Sequence, residues 1–285
     1  MGEIIKGKDV SEKISNDIIK EIEILSAKNI IPKLQIIRVG ENKDDISYEK
    51  SIIKKMQTLN LPVDIKVLEE SVSQEIFLET LKEANDSESI HGILIFRPLP
   101  KHLDENIIKN VISPEKDIDC LNPLNVGKTV EGDKTGFAPC TPSAVMEILS
   151  YLDIDLKGKK CAVIGSSMVV GKPVSSLLLN QKATVTVCNS STKNIQDITR
   201  SSDIIIACAG VPRLVKKDWV LRGAVVVDVG INFDENGVMC GDVDFENVKE
   251  IASVITPVPG GVGGVTTSIL AKHTVRACKQ LTNNI

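Results

Sequence analysis

Apolar residues recur at helical spacing over residues 10–25 (VSEKISNDIIKEIEIL), which predicts an amphipathic helix with Ser11 as its N-cap. The run KLQIIRVG (33–40) is short, apolar and closed by Gly, and it predicts a strand. DISYEKSIIKKM (45–56) predicts a helix, VDIKVLE (63–69) a strand, and SQEIFLETLKEANDS a helix capped by Ser73. HGILIFRPLP (91–100) reads as a strand stopped by prolines. Strands alternating with helices imply parallel βαβ units with right-handed crossovers.

From Ser113 to Pro142 the pattern breaks into a loop rich in Pro, Gly and Asp. TPSAVMEILSYL (141–152) then predicts a helix, with Thr141 as N-cap and Pro142 at its first position. The following stretch, KKCAVIGSSMVVGKPVSSLLLNQKATVTVCNSST, reads strand, Gly turn, helix, strand. IIIACAG, AVVVDVG and SVITPVP are nearly continuous apolar strands, as a parallel sheet covered on both faces requires. TTSILAKHTVRACKQL is helical. The pattern predicts an α/β chain of two domains, a small N-terminal one and one of dinucleotide-binding type, without internal repeats.

Composition narrows the function classes. The chain has 285 residues, enough for two domains, and is 42% hydrophobic and 25% charged. A net charge of −4 without a basic stripe gives no expectation of nucleic acid. No signal-peptide core and no bilayer-length apolar run is present, and Lys6 stands where a myristoylation motif needs Ser or Thr. The expected location is cytoplasmic, with no membrane partner. Seven cysteines lack a CxxC pair, and their odd number does not suit a disulfide framework. Cys161, Cys188 and Cys208 fall in apolar strands, as small hydrophobes. His91, His102 and His273 have no ligand-like spacing, so packing roles and no metal are expected.

The most informative local signal is VIGSSMVVGKPVSSLLL. Gly165 ends a strand and a helix follows within a few residues, a setting in which backbone N–H groups face a bound anion. The usual GxGxxG is altered: Ser167 replaces the second Gly and the third comes one residue late, at Gly171. Nucleotide binding and a purely structural turn are the two readings. NAD sites place an acid about 20 residues on, at the ribose hydroxyls. Here CNSSTKN (188–194) contains none before Asp197, while Ser190, Ser191, Thr192 and Lys193 offer donors to a 2′-phosphate. NADP is favoured over NAD.

VGENKDDISY, PEKDID, PCTPSAV, GSSMVVGKP, DVGIN, GDVDF and TPVPGGVGGVTT occur in that order between residues 39 and 267. Together they resemble the methylenetetrahydrofolate dehydrogenase/cyclohydrolase family. The resemblance implies an α/β fold in which a catalytic domain (1–140 plus 268–285) and a Rossmann-like, doubly wound NADP-binding domain (141–267) flank a folate cleft. It implies oxidation of 5,10-methylenetetrahydrofolate by hydride transfer to NADP, then hydrolysis of the methenyl product, in a homodimer formed through the cofactor domain. Mapped by motif, Gly165, Ser166, Ser167, Gly171 and Ser190 would line the cofactor phosphates and adenosine ribose, and Ile231 would touch the cofactor. Asp119 matches the acid that holds the pterin, and Tyr48 the tyrosine along the folate. Pro257, Gly260 and Gly261 belong to the loop expected beside the nicotinamide.

The chain departs from the family at two places. The motif continues Tyr-x-x-x-Lys, but Ile52 stands four residues after Tyr48. Positions i and i+4 share a helix face, so the missing lysine would have stood beside the tyrosine. Lys50 and Lys54 point roughly 160° and 120° away from that face, and Lys55 returns to it roughly 10 Å along the axis. Where relatives read Val-Gln-Leu-Pro-Leu-Pro, this chain reads Ile95-Phe96-Arg97-Pro98-Leu99-Pro100, so the glutamine partner is Phe96. Losing one member of a buried polar pair costs roughly 1–3 kcal/mol, whereas replacing both by apolar groups can be nearly neutral. The expected function is a dehydrogenase with weak or absent cyclohydrolase. The alternatives are an ordinary bifunctional enzyme and a non-catalytic folate- or nucleotide-binding protein.

Overall fold

A computed structural model describes residues 2–282. In chain order its elements are β1 (Glu3–Ile4), α1 (Gly7–Ser26), β2 (Leu34–Val39), α2 (Lys43–Thr58), β3 (Val63–Leu68), α3 (Gln74–Asp86), β4 (Gly92–Ile95), α4 (Glu105–Val111), α5 (Pro123–Glu131) and α6 (Cys140–Tyr151). There follow β5 (Lys160–Ile164), α7 (Gly171–Asn180), β6 (Thr184–Cys188), α8 (Ile195–Arg200), β7 (Ile204–Ala207) and β8 (Val225–Asp228). The last are β9 (Asn232–Phe233), β10 (Met239–Cys240), α9 (Phe245–Val248), β11 (Val254–Ile255) and α10 (Val262–Thr282). No helix among the described residues is long and apolar enough to cross a membrane.

The chain forms two compact units. One contains residues 13–129, 133–140 and 267–282, with a parallel sheet in the order β3-β2-β4. Its core gathers Ile37, Phe77, Leu81, Ile93, Ile95 and Ile108. The other contains residues 2–12, 130–132 and 141–266, with a six-stranded sheet in the order β1-β11-β8-β7-β5-β6, parallel throughout. β7 is wholly buried, as its unbroken apolar run requires. β6 lies on one side of β5 and β7 on the other, so the strand order reverses at β5. Ligands of doubly wound sheets bind at such switch points, beyond the carboxyl ends of the strands.

Several boundaries differ from the sequence expectations, each for a physical reason. α1 starts at Gly7, so Ser11 is buried inside the helix and does not cap it. Residues 2–12 join the second unit because β1 pairs with β11, Glu3 opposite Val254. The expected loop 113–142 contains the helix α5, in which Asn122 accepts from the Leu124 N–H (2.8 Å) and Pro123 opens the first turn. α6 begins at Cys140, not after Thr141, because the Cys140 N–H donates to Asp119 Oδ1 at 2.8 Å. That cap comes from a residue distant in sequence. The C-terminal helix starts earlier than its apolar pattern, at Val262. Residues 283–285, the end of the expected catalytic domain, lie outside the described residues.

Candidate functional site

In the unit that carries β2 and β4, the motif KDID divides its work between two acids. Asp117 is buried and its carboxylate accepts from the Leu121 N–H (2.9 Å), the Asn122 N–H (2.8 Å) and Asn125 Nδ2 (2.9 Å). These bonds build the turn into α5. Asp119 is only partly buried, and the Cys140 N–H at 2.8 Å leaves one of its oxygens with acceptor capacity. Desolvation raises the Asp119 pKa above the ordinary carboxylate value, while the hydrogen bonds from Cys140 and the charge of Arg97 oppose the rise.

Tyr48 comes to the same place from α2. Its ring lies 5.6 Å from the Phe96 ring at an interplanar angle of 33°. Burial of the phenol raises its pKa well above 10.0, and the charges of Asp119 and Cys140 add to the rise. Tyr48 still keeps 37% of its surface accessible, and its phenol stays protonated. One turn along α2, Ile52 has no exposed surface, and Phe96 is 5% exposed. Neither carries a group that can move a proton. Lys55 Nζ stands 3.3 Å from Ser15 Oγ. Lys50 and Lys54 are exposed.

A contact that sequence reasoning missed holds α2 in place. Arg38 Nε donates to Glu49 Oε2 at 2.9 Å, both residues are buried, and Arg38 Nη1 also donates to the Gly40 carbonyl. Glu49 follows Tyr48 directly, so the pair ties the tyrosine's helix to the end of β2. The three histidines are occupied by packing. His91 Nδ1 accepts from the Lys33 N–H, His102 Nε2 lies 2.9 Å from the Val72 carbonyl, and buried His273 has Nδ1 2.8 Å from the Ile118 carbonyl. Burial drives the His273 pKa down to about 3.

In the other unit, Gly165 follows β5 at the switch point. Its φ is +128°, and a Cβ there would stand 2.3 Å from the Cys208 carbonyl oxygen. A Cβ on Gly171 would stand 2.1 Å from the Gly165 oxygen, so α7 begins hard against the turn. Ser167, in place of a second glycine, uses its Oγ to accept from the Val170 N–H at 3.1 Å. Ser166 and Ser167 are partly or fully exposed on this turn. Ser190 is exposed beyond the end of β6, in a turn shaped by the Asn189 N–H donating to Thr192 Oγ1 (2.8 Å).

Ile231 is brought together with Pro257, Gly260 and Gly261 in one pocket of about 190 Å³, lined also by Asp228, Gly230 and Met239. Asp228 is buried, and desolvation raises its pKa to about 7 against the hydrogen bonds it accepts. Among the described residues no group of three or more His, Cys, Asp or Glu side chains could hold a metal ion.

Both units have counterparts among known proteins. Residues 5–119 match the family model for the catalytic domain of tetrahydrofolate dehydrogenase/cyclohydrolase, and residues 139–282 match its NAD(P)-binding domain. The chain is 58% identical over 283 residues to the bifunctional protein FolD of Alkaliphilus metalliredigens, covering 99% of this chain and 100% of that one. The crystal structure of FolD from Campylobacter jejuni superposes with a TM-score of 0.96 at 40% identity, covering 98% and 99% of the two chains. The Trypanosoma brucei enzyme, solved with NADP and an inhibitor, gives 0.92 at 37% identity and 98% coverage of each chain. The chain belongs to the tetrahydrofolate dehydrogenase/cyclohydrolase family.

Proposed function

We propose that this chain oxidises 5,10-methylenetetrahydrofolate to 5,10-methenyltetrahydrofolate with NADP, and hydrolyses the methenyl product weakly or not at all. The unit bearing Tyr48 and Asp119 takes the folate, and residues 141–267 take NADP. When bound, NADP supplies the ring that accepts the hydride. The fit to this chain rests on three features: a turn that only Gly165 and Gly171 allow, exposed Ser190, and no acid in 188–194 to repel a 2′-phosphate. The NADP complex of the Trypanosoma brucei relative supports the same choice.

Asp119 accepts N–H groups of the pterin with its remaining oxygen, and Tyr48 lies along the folate, backed by Phe96. Pro257, Gly260 and Gly261 form the wall shared with Ile231. Hydride transfer asks mainly for positioning, because the folate nitrogen lone pair supplies the electronic push. Hydrolysis of the methenyl cation also needs an activated water and proton transfers, worth about 10²–10⁴-fold from a placed acid-base group.

The observation that carries the second half of the proposal is the apolar pair beside Tyr48. Ile52 is fully buried and Phe96 packs on the tyrosine ring, and neither can activate water. Lys55, the nearest lysine in helical register, is directed at Ser15. The test is a paired assay of NADP reduction and of the decay of methenyltetrahydrofolate absorbance. NADP reduction proceeds and the second reaction stays near its uncatalysed rate; comparable rates for the two would sink the proposal. Ile52→Lys combined with Phe96→Gln raises hydrolysis by about 10²-fold or more, while Lys55→Met leaves it unchanged. The working particle is a homodimer through residues 141–267, which sedimentation velocity checks.

A further inference from the structure

The motif GDVDF has no role in the function described so far, yet the first of its two aspartates makes a dense set of contacts. Asp242 has no exposed surface. Its carboxylate accepts from the N–H groups of Ala209 (2.5 Å), Gly210 (3.0 Å) and Val211 (3.0 Å), and from Asn232 Nδ2 (2.8 Å). Asp228 of DVGIN, 3% exposed, accepts from the N–H groups of Gly230 (3.0 Å), Asp242 (3.0 Å) and Val243 (2.9 Å). Its own N–H donates to Thr256 Oγ1 at 2.8 Å.

The two carboxylates interlock through glycines. A Cβ on Gly230 would stand 2.1 Å from Asp242 Oδ1, and a Cβ on Gly241 would stand 1.9 Å from Asp228 Oδ2. Each aspartate thus seats on the glycine of the other motif, at an approach no side chain permits. DVGIN and GDVDF form one clasp, although Asp228 and Asp242 are separated in the chain by the hairpin of β9 and β10.

What the clasp holds gives it a function. The 209–211 turn follows Cys208, whose carbonyl oxygen presses on Gly165. Ile231 is 64% exposed and so lacks enclosing packing of its own, but it sits between Gly230 and Asn232, which both donate to the clasp. Thr256 precedes Pro257, the first residue of the pocket loop. The charge is buried but not bare, since backbone dipoles from several segments converge on it.

We infer that Asp242 and Asp228 are positioning residues for the cofactor end of the site, fixing the 209–211 turn, Ile231 and the start of the Pro257–Gly261 loop in one geometry. The inference rests on the proposed assignment of Ile231 and that loop to the cofactor wall. A displacement of about 1 Å at such a wall can cost 10²-fold in rate, so the clasp affects catalysis without touching substrate.

The experiment compares the full-length protein with Asp242→Asn and with the milder Asn232→Ala, which removes only one donor at a partly exposed residue. Direct NADP binding by fluorescence, KM for each substrate, kcat and the thermal midpoint are measured together. Asn232→Ala is expected to lower the thermal midpoint by only a few degrees, since the Asp242 carboxylate keeps its three backbone donors, and to weaken NADP binding roughly tenfold, leaving KM for the folate unchanged. Asp242→Asn weakens it further. If Asp242→Asn does not fold, Asn232→Ala decides alone. Folded variants with wild-type NADP affinity and kcat would overturn the inference, as would equal losses in both substrates' KM. Wild-type protein that neither binds nor reduces NADP would overturn the proposed function and the inference with it.

Discussion

Asp117 and Asp119 share one short motif, and their surroundings assign them opposite work. Asp117 spends both oxygens on Leu121, Asn122 and Asn125, whereas Asp119 keeps an oxygen to offer. Asp119→Asn is expected to raise KM for the folate roughly 10–100-fold, the value of a charge-assisted hydrogen bond, while NADP affinity holds. The pH dependence has a definite sign. Because desolvation raises the Asp119 pKa, the acid limb of folate binding lies above that of an ordinary aspartate, and affinity is lost as pH falls through it. Asp119→Asn lacks the limb, and Arg97→Leu, by removing an opposing charge, moves it upward. A KM–pH profile for the three proteins checks both statements. The motif announces an acid in the sequence, but which of the two is free becomes visible only when the α5 turn closes on Asp117.

At the scale of elements, α2 shows what was legible and what was not. Its period was legible over 45–56, whereas its true start at Lys43, capped by Asn42 accepting from the Asp44 N–H at 2.8 Å, was not. The force that sets its place was not legible either, because Arg38 stands in an apolar strand and Glu49 on a polar helix, and their pairing closes only in three dimensions. Removing one partner of such a buried pair costs about 3–5 kcal/mol, whereas replacing both by apolar residues is often neutral. Glu49→Ala is therefore expected to destabilise strongly and to weaken folate binding through Tyr48. Arg38→Met combined with Glu49→Leu recovers most of the stability. Urea melts of the single and double variants decide the matter, and additive losses would contradict it. α5 escaped the sequence pattern for the opposite reason: its Pro, Gly and Asp surroundings read as loop, although Asn122-Pro123 is a sound helix start.

At the scale of the whole molecule, each unit holds a buried group whose response to pH is opposite to the other's. Asp228 has a folded pKa of about 7 against an ordinary value of 3.8, so the folded form binds the extra proton between those values. Its contribution to stability is lost as pH rises from about 4 to about 7 and levels off beyond. His273 belongs to the other unit, with its pKa lowered from 6.5 to about 3, so there the unfolded form binds the proton. Its contribution to stability grows as pH rises over nearly the same range, while Asp117 and Asp119 of the same unit, raised by desolvation, oppose it. Differential scanning calorimetry between about pH 4 and pH 7 should show a steeper fall of the midpoint for the wild type than for Asp228→Asn. Asp228→Asn removes the first trend and keeps the second; a variant that tracks the wild type would refute the assignment. The two-domain α/β plan itself was legible, because apolar strands and amphipathic helices alternate on either side of the break between Ser113 and Pro142. The sheet partner of the first residues was not, since two residues of strand carry no period.

That partner has a consequence for the order of events during synthesis. β1 lies beside β11, Glu3 opposite Val254, with about 250 residues of chain between them. β1 leaves the ribosome long before β11 and must wait for it before it can pair. Until then β8 presents an open flank, the kind of transiently unpaired strand that invites misassembly. Premature termination anywhere before residue 254 therefore leaves β8 without β11 and β1 without a partner in the six-stranded sheet.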